Sequence, residues 1–218
     1  MIDLKGIKGI IFDFDGTLLD SLGMWKNLDI EYLNQRGISK PADLGHAIEG
    51  LSFNETASYF KNRFSIEESV DEIVSHWHTY IEEVYPSLPF KASAKNFIER
   101  RKKEGYKLAI ATSNSKPLVK MALEDKMMER FFPIIVTSDD VGEGKPSPNV
   151  FLETAKRLQI HPSDCLVIED TYMGVLGAKR AGMKTIAIFD SHNKERWDKT
   201  LKLADGTVTH FKQLEAMF

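Results

Sequence analysis

Short apolar runs alternate along this chain with longer stretches whose apolar positions fall at helical spacing. The first run, residues 7–12, ends Ile10-Ile11-Phe12 and reads as a strand. Further runs predict strands at 107–111, 132–136, 165–168 and 185–189, with a weak one at 206–209. Helical patterns fill the intervals at 94–103, 116–128, 148–158 and 175–181. Strand and helix in alternation predict an α/β fold, a Rossmann-like parallel sheet with helices on both faces. In such sheets the site lies at the carboxyl ends of the strands.

Residues 22–88 break the alternation. They read as purely helical, with Ile66, Val70, Ile73, Val74, Trp77, Ile81 and Val84 at helical spacing, and Tyr85-Pro86-Ser87-Leu88-Pro89 ends the segment. The expectation is a helical cap domain at 22–88 inserted into a catalytic core formed by 1–21 and 89–218. Both connections then lie close to the end of the first strand, so the cap can close over whatever sits there. Neither a repeat nor a low-complexity tract is present.

Composition narrows the class. With 218 residues, 42% of them hydrophobic and 28% charged, the chain has the makings of an ordinary globular protein with a sizeable core. A formal net charge of -3 gives no reason to expect a nucleic-acid partner. No segment approaches the roughly 18 uninterrupted apolar residues of a membrane span. The first residues, Met1-Ile2-Asp3-Leu4-Lys5, lack the apolar run of a signal peptide. The single cysteine, Cys165, lies in the apolar run Cys165-Leu166-Val167-Ile168, so a buried structural thiol is expected and no internal disulfide can form. A reducing cytoplasm is the expected setting.

The chemistry gathers at the strand ends. The first strand runs into Asp13-Phe14-Asp15-Gly16-Thr17. Residues i and i+2 of a strand point to the same side, so Asp13 and Asp15 leave it together. Two acids that close are costly unless a cation or proton sits between them. The second strand ends Ala111-Thr112-Ser113-Asn114-Ser115, hydroxyls and amides suited to an anion. Gly142-Glu143-Gly144-Lys145-Pro146-Ser147-Pro148 shapes a loop around one lysine, a point charge suited to phosphate. The fourth strand ends Ile168-Glu169-Asp170-Thr171, where adjacent acids can complete an oxygen cage for a hard cation. Each signal also has a plain structural use: an Asp-Gly turn, a helix cap, a solvated loop lysine, an acidic cap. All four point to one edge of one sheet, and the set suits phosphoryl transfer, which is largely positioning and charge neutralisation.

In these motifs and their order the chain resembles the haloacid dehalogenase superfamily of aspartyl-nucleophile phosphotransferases. It is most similar to the subgroup of phosphoglycolate phosphatase-like enzymes and beta-phosphoglucomutase, end to end and including the helical cap. The resemblance implies that Asp13 attacks phosphorus and forms an aspartyl phosphate. It implies that Asp15 protonates the leaving oxygen and then activates water. Thr112, helped by Ser113 and Asn114, would hold the phosphoryl oxygens, and Lys145 would neutralise Asp13 and the phosphoryl charge. Magnesium would be ligated by Asp170, Asp13 and the Asp15 backbone carbonyl, with Glu169 acting through a water. The dehalogenases of the superfamily lack an aspartate two positions after the nucleophile. Asp15 therefore argues against carbon–halogen hydrolysis.

The cap separates the remaining readings. Where the phosphoglucomutase group carries a histidine and a phosphate-gripping arginine, this chain has Trp25 and Phe53. Apolar surface there favours a phosphatase acting on a small phosphorylated metabolite over a phosphohexomutase, and Trp25 and Phe53 either line the substrate pocket or fill the cap's core. Lys61 and Arg63 are expected on a solvated helix face. His76 and His78 sit roughly 200° apart around a helix and cannot share one ion. A non-catalytic phosphate-binding protein is the third reading, and the intact acids and lysine argue against it. A monomer is expected.

Overall fold

The computed structural model describes residues 2–218. In chain order the elements are β1 (Gly9–Phe12), α1 (Leu22–Asn34), α2 (Leu44–Ile48), α3 (Phe53–Phe64), α4 (Val70–Val84), α5 (Ala94–Lys103), β2 (Lys107–Thr112), α6 (Lys116–Asp125), β3 (Ile135–Thr137), α7 (Ser138–Val141), α8 (Asn149–Leu158), β4 (Cys165–Glu169), α9 (Tyr172–Arg180), β5 (Lys184–Ile188), α10 (Trp197–Leu203), β6 (Gly206–Val208) and α11 (Phe211–Glu215).

The strands form one sheet in the order β3-β2-β1-β4-β5-β6, parallel at every pairing. β1 lies in the middle, with Ile10 opposite Leu108 on one side and Leu166 on the other. Alternate residues of each strand feed opposite faces, as the pleat demands. Ile10, Phe12, Leu108, Ile110, Leu166 and Ile168 join one core cluster with Phe97 of α5 and Phe211 of α11. Ile11, Ala109, Ala111, Cys165 and Val167 join the other, under Phe151 of α8 and Ala178 of α9. Both faces are covered, so the strands read as unbroken apolar runs. The Cys165 thiol is fully buried and pushed up to about 12 by desolvation, an inert core group.

Helices α1–α4 lie between β1 and α5. α3 and α4 each start with a reciprocal capping box, Ser52 with Glu55 and Ser69 with Glu72. Their shared core is aromatic: Trp77 meets Tyr32, Phe53 and Phe60 edge-on at 5.5, 5.8 and 5.1 Å. Burying each such ring is worth about 2–3 kcal/mol. The two chain segments joining these helices to the sheet run side by side, with Leu19 bridged to Phe90, Asp20 N–H bonded to the Pro89 carbonyl and Lys91 N–H to that of Leu18. At their far end the helices touch the sheet's loops. Glu49 accepts from the Met173 amide (3.1 Å) and pairs with Arg196 (3.1 Å), and Ser113 Oγ donates to the Gly50 carbonyl (3.1 Å).

Several element bounds differ from the sequence expectation. β3 starts at Ile135, because Phe132 leaves the strand to set its ring edge-on to Phe12 at 5.8 Å. α6 stops at Asp125, just before Met127 takes a left-handed φ of 55°. α9 starts at Tyr172, where the Thr171 side chain accepts from the Gly174 amide. The short α7, α10 and α11 have too few turns to print a period on the sequence. Among the described residues no helix is long and apolar enough to cross a membrane.

Candidate active site

The carboxyl ends of β1, β2 and β4, the Lys145 loop and helices α1, α3 and α4 enclose a cavity of about 210 Å³. Asp13, Asp15, Thr112, Ser113, Asn114, Lys145 and Glu169 all line it, as do Trp25 and Phe53. Strand register explains the meeting. Phe12 pairs with Ile110 and with Ile168, so Asp13, Thr112 and Glu169 emerge at nearly the same level, and the Asp13 amide still bonds to the Ile168 carbonyl (3.0 Å).

Lys145 is the hub. Its Nζ donates to Asp13 Oδ1 at 2.6 Å and to Glu169 Oε1 at 2.7 Å, and it stands 5.4 Å from the centre of the Phe151 ring. The side chain is 3% exposed, so these partners decide its state. Burial would lower the lysine, but the Asp13 and Glu169 carboxylates outweigh it and hold it above its ordinary range. Asp13 is raised to about 7, by burial first and with Glu169 and Asp15 adding repulsion, against the pull of Lys145. Asp170 is raised well above the usual carboxylate range, again by burial and then by Glu169 and Asp13.

Asp13, Glu169 and Asp170 each place an oxygen within 4.8 Å of the others, all buried. One ammonium cannot balance three buried carboxylates. An all-oxygen set with excess negative charge fits a hard divalent cation, so the residues present suit the metal that the motif pattern implies. The neighbouring groups orient the acids. Thr17 Oγ1 donates to Asp170 Oδ1 (3.0 Å), Asn193 Nδ2 donates to its Oδ2, and Thr171 donates to Glu169 Oε2 through both its amide (2.7 Å) and its hydroxyl (2.9 Å).

Asp15 faces a different set. Ser21 Oγ (2.6 Å), Trp25 Nε1 (2.8 Å) and the Tyr85 hydroxyl donate to Oδ1, while among the described residues Asn114 Nδ2 (2.8 Å) alone donates to Oδ2. The Tyr85 oxygen accepts from Asn114 Nδ2 at 2.6 Å, and burial followed by the Asp15 charge lifts its phenol far above the usual value, so it remains a donor. Ser113 is turned to the Gly50 carbonyl and Asn114 to Asp15, which leaves Thr112 as the member of that loop whose hydroxyl takes only an amide, that of Asn114 at 3.1 Å.

Trp25 and Phe53 belong both to the aromatic cluster of the helices, where they pack edge-on at 6.0 Å, and to the cavity wall. Lys61 caps the carbonyls of Ile66, Glu67 and Glu68, and Arg63 pairs with Asp43, both away from the cavity. His76 meets Tyr32 edge-on at 5.3 Å and His78 meets Phe53 edge-on at 5.2 Å, two separate contacts. Sequence reasoning missed Tyr85, Ser21, Asn193 and Asp29. Tyr85 opens the Tyr-Pro turn that closes the helical segment, a position that reads as punctuation until the second connection is seen to run beside the first.

Known proteins resemble this chain in sequence and in fold. Residues 10–188 match the family model of the haloacid dehalogenase-like hydrolases. The chain is 32% identical over 180 residues to a bifunctional riboflavin kinase/FMN phosphatase of Arabidopsis thaliana, a match covering 82% of this chain and 48% of that protein. It is 29% identical over 189 residues to the pyrophosphatase PpaX of Bacillus cereus, covering 84% and 83%. The chain thus spans about half the length of the plant relative and most of the bacterial one. In structure it is similar to CbbY of Rhodobacter sphaeroides, crystallised with phosphate, at a TM-score of 0.83 and 21% identity over 95% of this chain and 96% of that one. With the family match running from β1 through β5 over a six-stranded parallel sheet, this chain belongs to the haloacid dehalogenase-like hydrolase family.

Proposed function

We infer that this chain is a phosphatase: it hydrolyses a small phosphate monoester with Mg²⁺ bound, carrying the phosphoryl group transiently on Asp13. The observation that carries the reading is the convergence of Asp13, Thr112, Lys145 and Glu169, from four separate chain segments, on one cavity. Relatives named for FMN phosphatase and pyrophosphatase activity support phosphate release as the reaction class.

Lys145 holds Asp13 Oδ1, while Oδ2 takes no hydrogen bond among the described residues and is free to attack. Attack by Oδ2 forms the Asp13–phosphorus bond as the ester oxygen leaves. Asp15 gives that oxygen a proton, then takes one from the water that cleaves the aspartyl phosphate. Its Oδ2, held by the single donor Asn114, is the oxygen that can turn to the leaving group. Thr112, whose hydroxyl proton is uncommitted among the described residues, receives phosphoryl oxygens, with Ser113 and Asn114 beside it in the cavity wall. Asp13, Asp170 and the Asp15 carbonyl would hold Mg²⁺, with Glu169 beside them. When bound, the ion neutralises phosphoryl charge and lets one anion approach another.

We take residues 22–88 as the cap, 1–21 with 89–218 as the core, the chain as a monomer and the cytoplasm as its setting. A phosphohexomutase must also grip a second phosphate. Lys145 is the one cation among the described residues lining the cavity, and it is already paired, which favours hydrolysis.

The test is phosphate release from a panel of sugar phosphates, phosphoglycolate, nucleotides and a chromogenic aryl phosphate, run with Mg²⁺ and with chelator. Release that needs Mg²⁺ and is abolished in Asp13→Asn is the expected result. Conversion of beta-glucose 1-phosphate to glucose 6-phosphate without net phosphate release would overturn it in favour of the mutase.

A further inference from the structure

The end of the cavity away from the phosphoryl site has its own chemistry. Helix α1 points Leu22, Trp25, Leu28 and Asp29 into the cavity from one face, at i, i+3 and i+4 spacings. Trp25 marks the reacting end, because its Nε1 bonds to Asp15. Asp29 lies one turn further along, about 6 Å by helix rise. Between them the wall is Leu28, Ile48, Phe53 and Trp77. Such a wall gains nothing from a charged substrate body and much from an apolar one.

Asp29 gives this end its polarity. Its Oδ2 takes Lys40 Nζ at 2.5 Å, while Oδ1 takes no hydrogen bond among the described residues. Thr56, also in this wall, spends its hydroxyl proton on the Ser52 carbonyl at 2.8 Å and has only lone pairs left to offer, while the Trp77 Nε1–H is itself buried away from the cavity surface. Asp29 and Thr56 therefore accept, and neither donates. Lys40 is not part of this wall; it lines the neighbouring cleft and is engaged by Asp29. A ligand donor meets two acceptors here, whereas a ligand anion meets a carboxylate and a lone pair. Size adds a bound. A dry cavity of about 150 Å³ holds one benzene ring. At 210 Å³, shared between the phosphoryl group and the rest of the ester, this pocket favours a compact body, and past Trp25, Asp29 and Ile48 it opens on the neighbouring cleft.

We propose that the site takes monophosphate esters of compact, mainly apolar alcohols that carry a hydroxyl or ammonium donor at their far end, and that it rejects esters with a second anion there. The proposal rests on the phosphatase reading and names that site's substrate class. Asp29 is the discriminating residue: a free carboxylate oxygen rewards a donor and repels a carboxylate or a second phosphate.

The experiment compares 4-(aminomethyl)benzyl phosphate with 4-carboxybenzyl phosphate, benzyl phosphate being the reference. The methylene insulates the leaving oxygen from the ring substituent, so the esters differ at the far end and little in reactivity. The expected result is a kcat/KM for the aminomethyl ester at least about ten-fold above that for the carboxy ester, the scale of one hydrogen bond to a charged group. In Asp29→Asn, which keeps the shape and removes the charge, that ratio falls below about three-fold. A wild-type ratio of one or less would overturn the proposal. So would a ratio that Asn at this position leaves unchanged, or a higher kcat/KM for a sugar bisphosphate reaching into the neighbouring cleft. Phosphate release from all three benzyl esters at equal kcat/KM removes the substrate class alone. No release from any ester, together with silence across the wider panel, removes the phosphatase reading itself.

Discussion

At the scale of the residue, the two acids of the first motif are set apart by their partners. Asp13 shares Lys145 with Glu169 and sits beside Asp170, and Asp15 is wrapped by hydroxyl, indole and amide donors. Tyr85 is the least expected of these. Its hydroxyl holds Asp15 Oδ1 and so leaves Oδ2 to reach the leaving group. Tyr85→Phe should lower kcat about ten-fold on an alkyl phosphate, where proton delivery matters. On an activated aryl phosphate, whose leaving group needs no proton, the loss should be small. Equal losses on both substrates would mean that Tyr85 serves packing alone. The Asp13 carboxyl makes a second prediction, for the metal-free protein. Burial raises it from 3.8 to about 7. Between those values the folded chain holds a proton that the unfolded chain has released. This contribution to stability is complete below 3.8 and is lost as pH rises through about 7. A divalent cation needs the same carboxylate deprotonated. The gain in Tm on adding Mg²⁺, read by scanning calorimetry, should therefore be small near about pH 5 and large near about pH 8. A gain independent of pH would count against the acidic cluster as the metal site.

At the scale of the element, loop geometry holds these side chains in reach. Gly16 has φ +78°, and a Cβ there would stand 2.4 Å from Asp170 Oδ2 and 2.9 Å from Leu22 Cδ1. Gly16→Ala must therefore displace Asp170 as well as accept a left-handed backbone, at a cost of about 1–2 kcal/mol from the backbone alone. Lower thermal stability and weaker Mg²⁺ binding by titration calorimetry should appear together. The strands show how far local pattern carries. β1, β2, β4 and β5 were readable to within about two residues because both faces are buried and the runs are continuous. β3 was blurred by Phe132, which is apolar for the sake of the ring it packs on rather than for a strand. Short α7 and α11 start on side-chain caps, Thr137 with the Asp140 amide and His210 with the Gln213 amide, whereas α10 has no such cap and packs on α9.

At the scale of the molecule, the cavity exists because the helical layer rests on the sheet's loops. At Gly50 and Gly144 the two backbones approach closely: a Cβ on Gly144 would lie 2.5 Å from the Gly50 carbonyl oxygen, and one on Gly50 2.6 Å from that of Lys145. Glu49 fastens the same contact through Arg196 and the Met173 amide. Glu49→Ala should loosen the layer while leaving the acids in place. The expected outcome is a KM raised several-fold with little change in kcat, and a larger radius of gyration by X-ray scattering that phosphate mimics reduce. A scattering profile identical to the parent, with and without the mimic, would show the contact to be passive.

The amino-acid sequence alone determined the order of apolar runs, and with it the parallel sheet and the acids, hydroxyls and lysine at its carboxyl edge. A strand buried on both faces must be apolar until it leaves the sheet, so its first polar residues mark the exit. Asp13, Thr112, Glu169 and Asp170 are legible for that local reason, and Lys145 for the glycines and prolines that shape the loop around it. Only the tertiary structure decided what those residues meet. Tyr85 reaches Asp15 across 70 positions of chain, and Asn114 reaches it across 99. Asp29, an ordinary acid on an ordinary helix, becomes the polar end of the cavity only when Lys40 occupies one of its oxygens. These meetings depend on where the two connections run and how the helical layer settles, which no run of neighbouring residues encodes.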